Sequence, residues 1–521
     1  MVTSRPTSAV PERNSPPRRS GIGRAALSGV LAAAVVLGVG HLVAVLIDPA
    51  ASPFYALGAT MVDHTPHELK DAAIRRFGSR DKQALFATMA VVMLIGAAVA
   101  GLLERRRPIG SALLVALGGL TAVAALQRPT ATVWFAVPAV AGVLAGVLTL
   151  RILRTGGPGL RAPAEEGMTR RTFLLLAAGA GALAAGTAAT GRWLGTRLRD
   201  VAADRARFLL PRAAPAAPVP DAAQPAVAGL TSFLTGNERF YRVDTALQLP
   251  ALTSAEWRLR IHGMVDRTVE FDIDSLRDRT PVERIITLTC VSNEVGGELA
   301  GTARWLGYPL ADLLAGAGVR PDADMLLSRS VDGFTAGTPL SAVLDGRDAL
   351  LAIGMNGEPL PIAHGYPARL IIPGLYGYVS ATKWVVDLEV TRFDRARAYW
   401  TERGWGDRAP IKTASRIDVP AAFATVDAGP VTVAGVAWAQ RRGVTGVEVQ
   451  VDDRPWQPAI LAAQYSVDTW RQWTWRWDAT PGTHTLRVRA TDGTGERQTE
   501  QRATPFPDGA TGWHSRVVTV R

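Results

Sequence analysis

Arg284-Ile285-Ile286-Thr287-Leu288-Thr289-Cys290 is a short run of apolar and β-branched residues, and Val291-Ser292-Asn293-Glu294-Val295-Gly296-Gly297 behind it is a polar turn. The first reads as a buried strand and the second as the loop at its end. Cys290 is the single cysteine among 521 residues, so no disulfide scaffold holds the chain. A lone cysteine is often a small core residue. At a strand end, before a glycine-containing turn, it is also placed to face a cleft. A nucleophile would want a nearby histidine, and zinc would want several cysteine or histidine ligands; neither pattern surrounds it. Beside the core reading stands a metal whose other ligands come from a cofactor.

Downstream lies a second constellation. Met355-Asn356-Gly357-Glu358-Pro359-Leu360-Pro361 leads to His364-Gly365-Tyr366-Pro367-Ala368-Arg369, then Leu375-Tyr376-Gly377-Tyr378 and Thr382-Lys383-Trp384. Arginine offers a forked donor, histidine and lysine add charge, and glycines let the backbone come close, which together suits a phosphate. Any one of these charges alone reads equally as a surface ion pair.

The stretch 230–393 mixes short β-rich runs with Gly/Pro punctuation: strands over Trp257–Ile261, Ile285–Cys290 and Leu370–Ile372, and a short helix over Leu310–Ala315 started by Pro309. That is α+β patterning, without a Gly-rich nucleotide fingerprint or a P-loop. From 394 to 521 the spacing becomes that of an antiparallel β-sandwich, with strands over Val431–Ala437, Val444–Asp452, Trp473–Trp477 and His484–Ala490. Nine of the 14 tryptophans fall between Trp400 and Trp513. They suit core and inter-domain packing, or else a subunit or glycan interface.

The front of the chain differs. The formal charge of +11 sits wholly there: residues 1–199 hold 22 basic and 9 acidic side chains, residues 200–521 hold 35 and 37. After a basic tail (1–24), apolar runs near Ala25–Ile47, Leu85–Leu103, Ile109–Gln127, Ala131–Leu150 and Thr172–Leu194 each approach the roughly 20 residues that span a bilayer, predicting a membrane anchor of about five helices over 25–195. Alternate connections carry 13 basic residues on one side (Arg5 to Arg24, Arg105 to Arg107, Arg151 to Arg171) and six on the other. The positive-inside rule then puts the N-terminus in the cytoplasm and everything after the fifth crossing outside, at the plasma membrane. Thr169-Arg170-Arg171-Thr172-Phe173-Leu174 before a weakly apolar segment also resembles a twin-arginine export signal, although ordinary positive-inside arginines read the same way. His41 is the one histidine well inside an apolar run, so no haem site is evident. Residues 196–229 are rich in Ala and Pro and predict a semi-rigid extended linker.

From about Thr235 onward these residues resemble the sulfite-oxidase-type molybdopterin oxidoreductases. The resemblance is carried by Asn237-Glu238-Arg239-Phe240-Tyr241-Arg242-Val243-Asp244, by Thr287–Leu310, and most specifically by His364–Trp384. It implies a molybdopterin-binding catalytic domain over 230–393 and an immunoglobulin-like, dimerisation-type sandwich over 394–521, hence a possible homodimer. It further implies a molybdenum centre ligated by Cys290, and pterin-phosphate contacts from His364, Arg369, Thr382 and Lys383. Asn237, Tyr241 and Arg242 match another cofactor-contacting segment. The implied chemistry is oxygen-atom transfer on a small molecule, with electrons passed singly to a partner the sequence does not name.

Departures bear on the substrate. Sulfite oxidases carry arginine shortly after the metal cysteine, where this chain has Asn293-Glu294-Val295, and Asp332–Gly337 lacks that family's tyrosine. Sulfite is therefore not assigned. The family's other exported branch, which reduces methionine sulfoxide beside a haem membrane subunit, usually lacks the sandwich. A rival reading is a non-catalytic exported binding module presenting the Trp-rich sandwich. Nucleic-acid binding is disfavoured by the net −2 of residues 200–521 and the lack of a basic stripe there.

Overall fold

The computed structural model describes residues 20–66, 69, 81–105, 107–155, 168–198 and 200–521. The chain divides into two compact units after Leu198.

In the N-terminal unit five helices, Gly21–Ile47, Lys82–Leu103, Ile109–Leu126, Val133–Thr155 and Arg170–Gly195, are long and apolar enough to cross a membrane. Their side chains explain the packing. Small residues line the contacts, and an added Cβ at Gly29 would run into the Ala97 carbonyl, one at Gly142 into the Val36 carbonyl. Large apolar residues such as Val92, Ile95, Leu144 and Leu175 point outward, which is compatible with membrane insertion. The Arg24 guanidinium donates to the Met168 carbonyl at 3.1 Å and lies 4.7 Å over the Phe173 ring, and Arg154 pairs with Glu104 at 3.7 Å. The start of the first helix, the turn after the second and the connection before the fifth thus share one end. At the other end Arg128 is neutralised by Asp63 at 2.9 Å. The arginines of the tail before Ser20, Arg106, Arg161 and the cluster Lys70, Arg75, Arg76 and Arg80 lie outside the described residues. A further helix, Pro53–His64, occupies the first connection and opens with proline in its first turn.

The second unit holds four sheets. Strands Val282–Thr289, Ala300–Pro309, Leu350–Met355 and Glu358–Pro359 form one sheet in that order, with Arg369–Ile371 also paired to Leu350–Met355. A second sheet runs Val269–Phe271, Leu259–Gly263, Val385–Thr391, Met325–Ser330, Thr335–Pro339; within it Leu259–Gly263 and Val385–Thr391 are parallel. The helix Leu310–Ala315 forms where expected, with Pro309 as its N-cap rather than its first residue. The sandwich packs Ala414–Val419, Gly429–Trp438, Arg471–Ala479 and Ile460–Leu461 against a sheet containing Val444–Val451, Gly482–Asp492 and His514–Val520.

One expectation is corrected. The stretch 200–229 is not a free spacer: helix Val201–Arg207 forms, capped by the Asp200 side chain. Val201, Phe208 and Ala216 enter the core of the unit, and Ala463 N–H donates to the Ala222 carbonyl at 2.8 Å. Ala/Pro composition sets a backbone preference but does not say which groove the chain covers. The tryptophans follow the first of their two readings, core and inter-domain packing. Trp473 and Trp477 lie in the sandwich core, while Trp470 is buried in the core of the preceding α+β domain. Burial of such rings removes the large apolar area that makes them costly to expose.

Candidate functional site

The strand Val282–Thr289 pairs antiparallel with Ala300–Pro309 until Thr289 faces Ala300. Cys290 is the first residue beyond that ladder. Its N–H donates to the Leu299 carbonyl at 2.9 Å and its carbonyl accepts from Asn293 N–H at 3.1 Å. The Asn293 side chain closes the loop by accepting from Leu299 N–H at 2.8 Å. The thiol is buried, 8% exposed. Burial pushes its pKa up, opposed by hydrogen bonds from Ser292 and by the Lys383 charge. Such a thiol is poorly suited to free reactivity and well suited to a cation that would hold it as thiolate.

Around it the expected residues converge, with unequal roles. Arg369 opens the strand Arg369–Ile371 and is 4% exposed. Its guanidinium donates to the carbonyls of His364 at 3.1 Å and Ala381 at 3.2 Å, and lies 5.3 Å over the Trp305 ring. Its Nε has no partner. Burial lowers its pKa to about 10. His364 sits in a short helical turn and its Nε2 donates to the Asn237 carbonyl at 3.2 Å, leaving Nδ1 buried and unpartnered. Burial, then the Arg369 and Lys383 charges, hold its pKa near 4, so the ring is neutral at pH 7 with a lone pair on Nδ1. Gly365, at φ 112°, brings the backbone close: a Cβ there would meet the side chains of Arg369 and Lys383. Lys383 is 9% exposed and pairs with Asp244 at 3.0 Å; burial lowers its pKa to about 8.

Tyr241 is held in the same place. Its ring stacks 5.2 Å from Phe240, and burial, then the Cys290 charge, raises its pKa. Arg242 is more peripheral, paired to Asp244 at 2.9 Å and 40% exposed. Two residues are committed elsewhere in this structure. Thr382 bonds its hydroxyl to Ser328 at 2.7 Å inside the core. The Asn237 side chain bonds Asn356 at 2.8 Å and Glu358; toward the site it offers only its carbonyl. Tyr376 comes close to Cys290, and burial pushes its pKa up to about 12. Tyr378 points to the Gly406 carbonyl.

Sequence reasoning missed the supports. Phe240 makes edge contacts at 5.7 Å with both Trp305 and His364. The sandwich also braces the cysteine strand: Gln440 donates to Thr287 and Thr289, Trp470 N–H donates to the Thr287 hydroxyl at 2.8 Å, and Arg416 donates to the Gly297 carbonyl at 2.8 Å. No local motif signals pairs so far apart in the chain. A cluster of three or more His, Cys, Asp or Glu fit to hold a metal is absent among the described residues, so a metal at Cys290 needs ligands from outside the protein.

Comparison with known proteins agrees with this geometry. Residues 246–400 match the oxidoreductase molybdopterin binding domain, and residues 414–488 match a bacterial Ig domain. The sulfite oxidase of Gallus gallus is 29% identical over 295 residues, covering 48% of this chain and 63% of that protein. Human mitochondrial sulfite oxidase is 30% identical over 289 residues, covering 47% and 52%. The uncharacterized oxidoreductase YuiH of Bacillus subtilis is 29% identical over 154 residues, covering 29% and 72%. Among solved structures, the sulfane dehydrogenase SoxCD of Paracoccus pantotrophus aligns with TM-score 0.49 at 22% identity, over 56% of this chain and 84% of that one. The chain spans between half and two thirds of the length of the two sulfite oxidases. Within the second unit, residues 246–400 are thus similar to the molybdopterin binding domain of sulfite oxidases, and residues 414–488 to a bacterial Ig domain.

Proposed function

We propose that this chain is a membrane-anchored, exported molybdopterin-dependent oxidoreductase, with Cys290 as the protein ligand of molybdenum. One observation supports it most: Arg369 Nε and His364 Nδ1 are both buried and unpartnered within the group of residues that closes around the Cys290 thiol. Buried polar atoms without partners are costly. A buried guanidinium with a free N–H, beside a depressed lysine, asks for an anion, and the cofactor's phosphate is one. The residues therefore fit the group.

When bound, the cofactor would supply oxygen-atom transfer: substrate and water on one side, oxygenated product, two protons and two electrons on the other, the electrons leaving singly to a one-electron acceptor. The chain's own residues prepare the place. Arg369 would give a forked, permanently charged donor, held in plane by its two carbonyl contacts and the Trp305 face. His364 is fixed by Asn237, so its Nδ1 presents a lone pair; an incoming phosphate favours a proton there and turns it into a donor. Lys383 would add charge from behind, anchored by Asp244. Tyr241 would stay protonated and able to donate. Ser292 would orient the thiolate.

The five apolar helices would anchor the protein, N-terminus cytoplasmic and residues after about Gly195 outside, with the twin-arginine pair at Arg170 and Arg171 serving export of a loaded domain. The proposed division is 230–393 catalytic and 394–521 immunoglobulin-like, with homodimerisation through the latter. Metal analysis of purified wild type and Cys290→Ser tests the centre. Stoichiometric molybdenum in wild type with loss of activity in the variant is expected; a redox-active wild type without molybdenum would overturn the reading.

A further inference from the structure

A cleft opens beside the candidate centre, on a side formed jointly by the cysteine loop and the sandwich. Thr289, Asn293, Glu294, Val295, Gly296 and Tyr376 form one wall, and Thr413, Ser415, Trp438, Gln498 and Thr511 are prominent on the other. Thr289 precedes Cys290 in the chain, and Asn293 N–H bonds the Cys290 carbonyl. The cleft thus lies against the cysteine loop, with residues on both sides of Cys290 in its wall.

Its charge is the opposite of the phosphate cradle's. Glu294 is the one ionisable carboxylate lining it, and it is exposed. The other polar groups are hydroxyls and amides. None of His364, Arg369 or Lys383 lines it, nor does any other cation. Of the basic groups behind its lining, Arg442 is paired with Asp492 at 2.7 Å and Arg416 with Asp418 at 2.6 Å, while Lys412 Nζ, donating to the Gly509 carbonyl at 2.8 Å, and Arg502, packed on Gly512, keep their charge outside the lining. His514, against Gly296, is half-buried and accepts from Ile417 N–H through Nδ1 at 3.0 Å, so it brings no charge. An anion entering here would meet the Glu294 carboxylate with no cation in the lining; because Glu294 is exposed, solvent screens that repulsion and the penalty is modest.

Resting on the functional reading above, we infer that this cleft is the substrate entrance and that Glu294 makes it select uncharged or cationic substrates over oxyanions. Glu294 acts as a specificity-determining residue through repulsion. Thr413 and Ser415 donate their hydroxyl protons to Asp492 at 3.0 Å and to the Gln498 side-chain carbonyl at 2.6 Å, so toward the cleft they offer lone pairs, which suit a cationic or neutral substrate and not sulfite.

The test compares wild-type, Glu294→Gln and Glu294→Arg holoenzymes. Two readouts are used: the ratio of kcat/KM for sulfite to that for dimethyl sulfide, both assayed as oxidations with a one-electron acceptor such as ferricyanide, and the affinity for sulfate followed by tryptophan fluorescence, which Trp438 in the cleft wall should report. The ratio should rise about threefold in Glu294→Gln and at least about tenfold in Glu294→Arg, with sulfate affinity rising in parallel. A wild type that already prefers sulfite, or variants that move neither readout, would overturn the inference. Molybdenum content of the same preparations separates the two claims. Protein without molybdenum defeats the functional reading, while its sulfate affinities still decide the role of Glu294.

Discussion

The backbone N–H of Trp470, in the β-sandwich, donates to the Thr287 hydroxyl at 2.8 Å, three residues before Cys290. Thr287 also bonds Thr302 at 2.5 Å across the sheet, and the Trp470 indole N–H donates to the Phe233 carbonyl at 2.9 Å. The cysteine strand is therefore held by two domains. Thr287→Val should leave two buried partners unsatisfied and cost about 1–3 kcal/mol of unfolding free energy. Denaturant titration measures this, and molybdenum occupancy should fall with it.

Arg369 is the best single test of the phosphate cradle. Arg369→Lys keeps a charge but loses the fork and the stacking on Trp305. Bound molybdopterin, measured fluorimetrically after release, should drop about tenfold, while the circular dichroism spectrum stays that of the wild type.

The pH dependence of stability has a definite sign. Burial first, and then neighbouring arginines, hold His514 near 4, and His364 is also held near 4. Between about 6.5 and 4 the unfolded chain binds protons that the folded one refuses, so stability falls as pH falls through that window. The loss should be a few kcal/mol for the cofactor-free protein. His514→Gln should flatten part of the slope in urea titrations at pH 7, 6, 5 and 4.

Gly296 sets how closely the sandwich approaches the cysteine loop. It has φ 80°, and an added Cβ would collide with the His514 ring. Gly296→Ala therefore pays in backbone strain and in overlap. A loss of about 2 kcal/mol or more in unfolding free energy is expected, because neither the loop nor the half-buried ring can yield freely.

The proposed topology is testable because the chain has one native cysteine. In a Cys290→Ser background, Thr130→Cys should react with a membrane-impermeant maleimide added to intact cells, and Thr155→Cys only after permeabilisation. The reverse pattern would invert the orientation.

Patterns that repeat locally were legible from residue order alone. Five apolar runs of membrane-spanning length read as helices from their length and composition, whatever they pack against. The strand ending at Cys290 and the sandwich strands follow from short-period alternation and turn residues. The split of charge, +13 before residue 200 and −2 after it, likewise belongs to composition. Tertiary structure decided what each side chain faces. Only folding could show that Thr382 is spent on Ser328, that Asn237 gives the site its carbonyl and not its amide, and that Trp470 braces a neighbouring domain. It also turned the Ala/Pro stretch from a spacer into a packed strap. The reason is physical: backbone preference and hydrophobic period act over a few residues, whereas burial and hydrogen-bond satisfaction are settled between residues 50 to 240 positions apart.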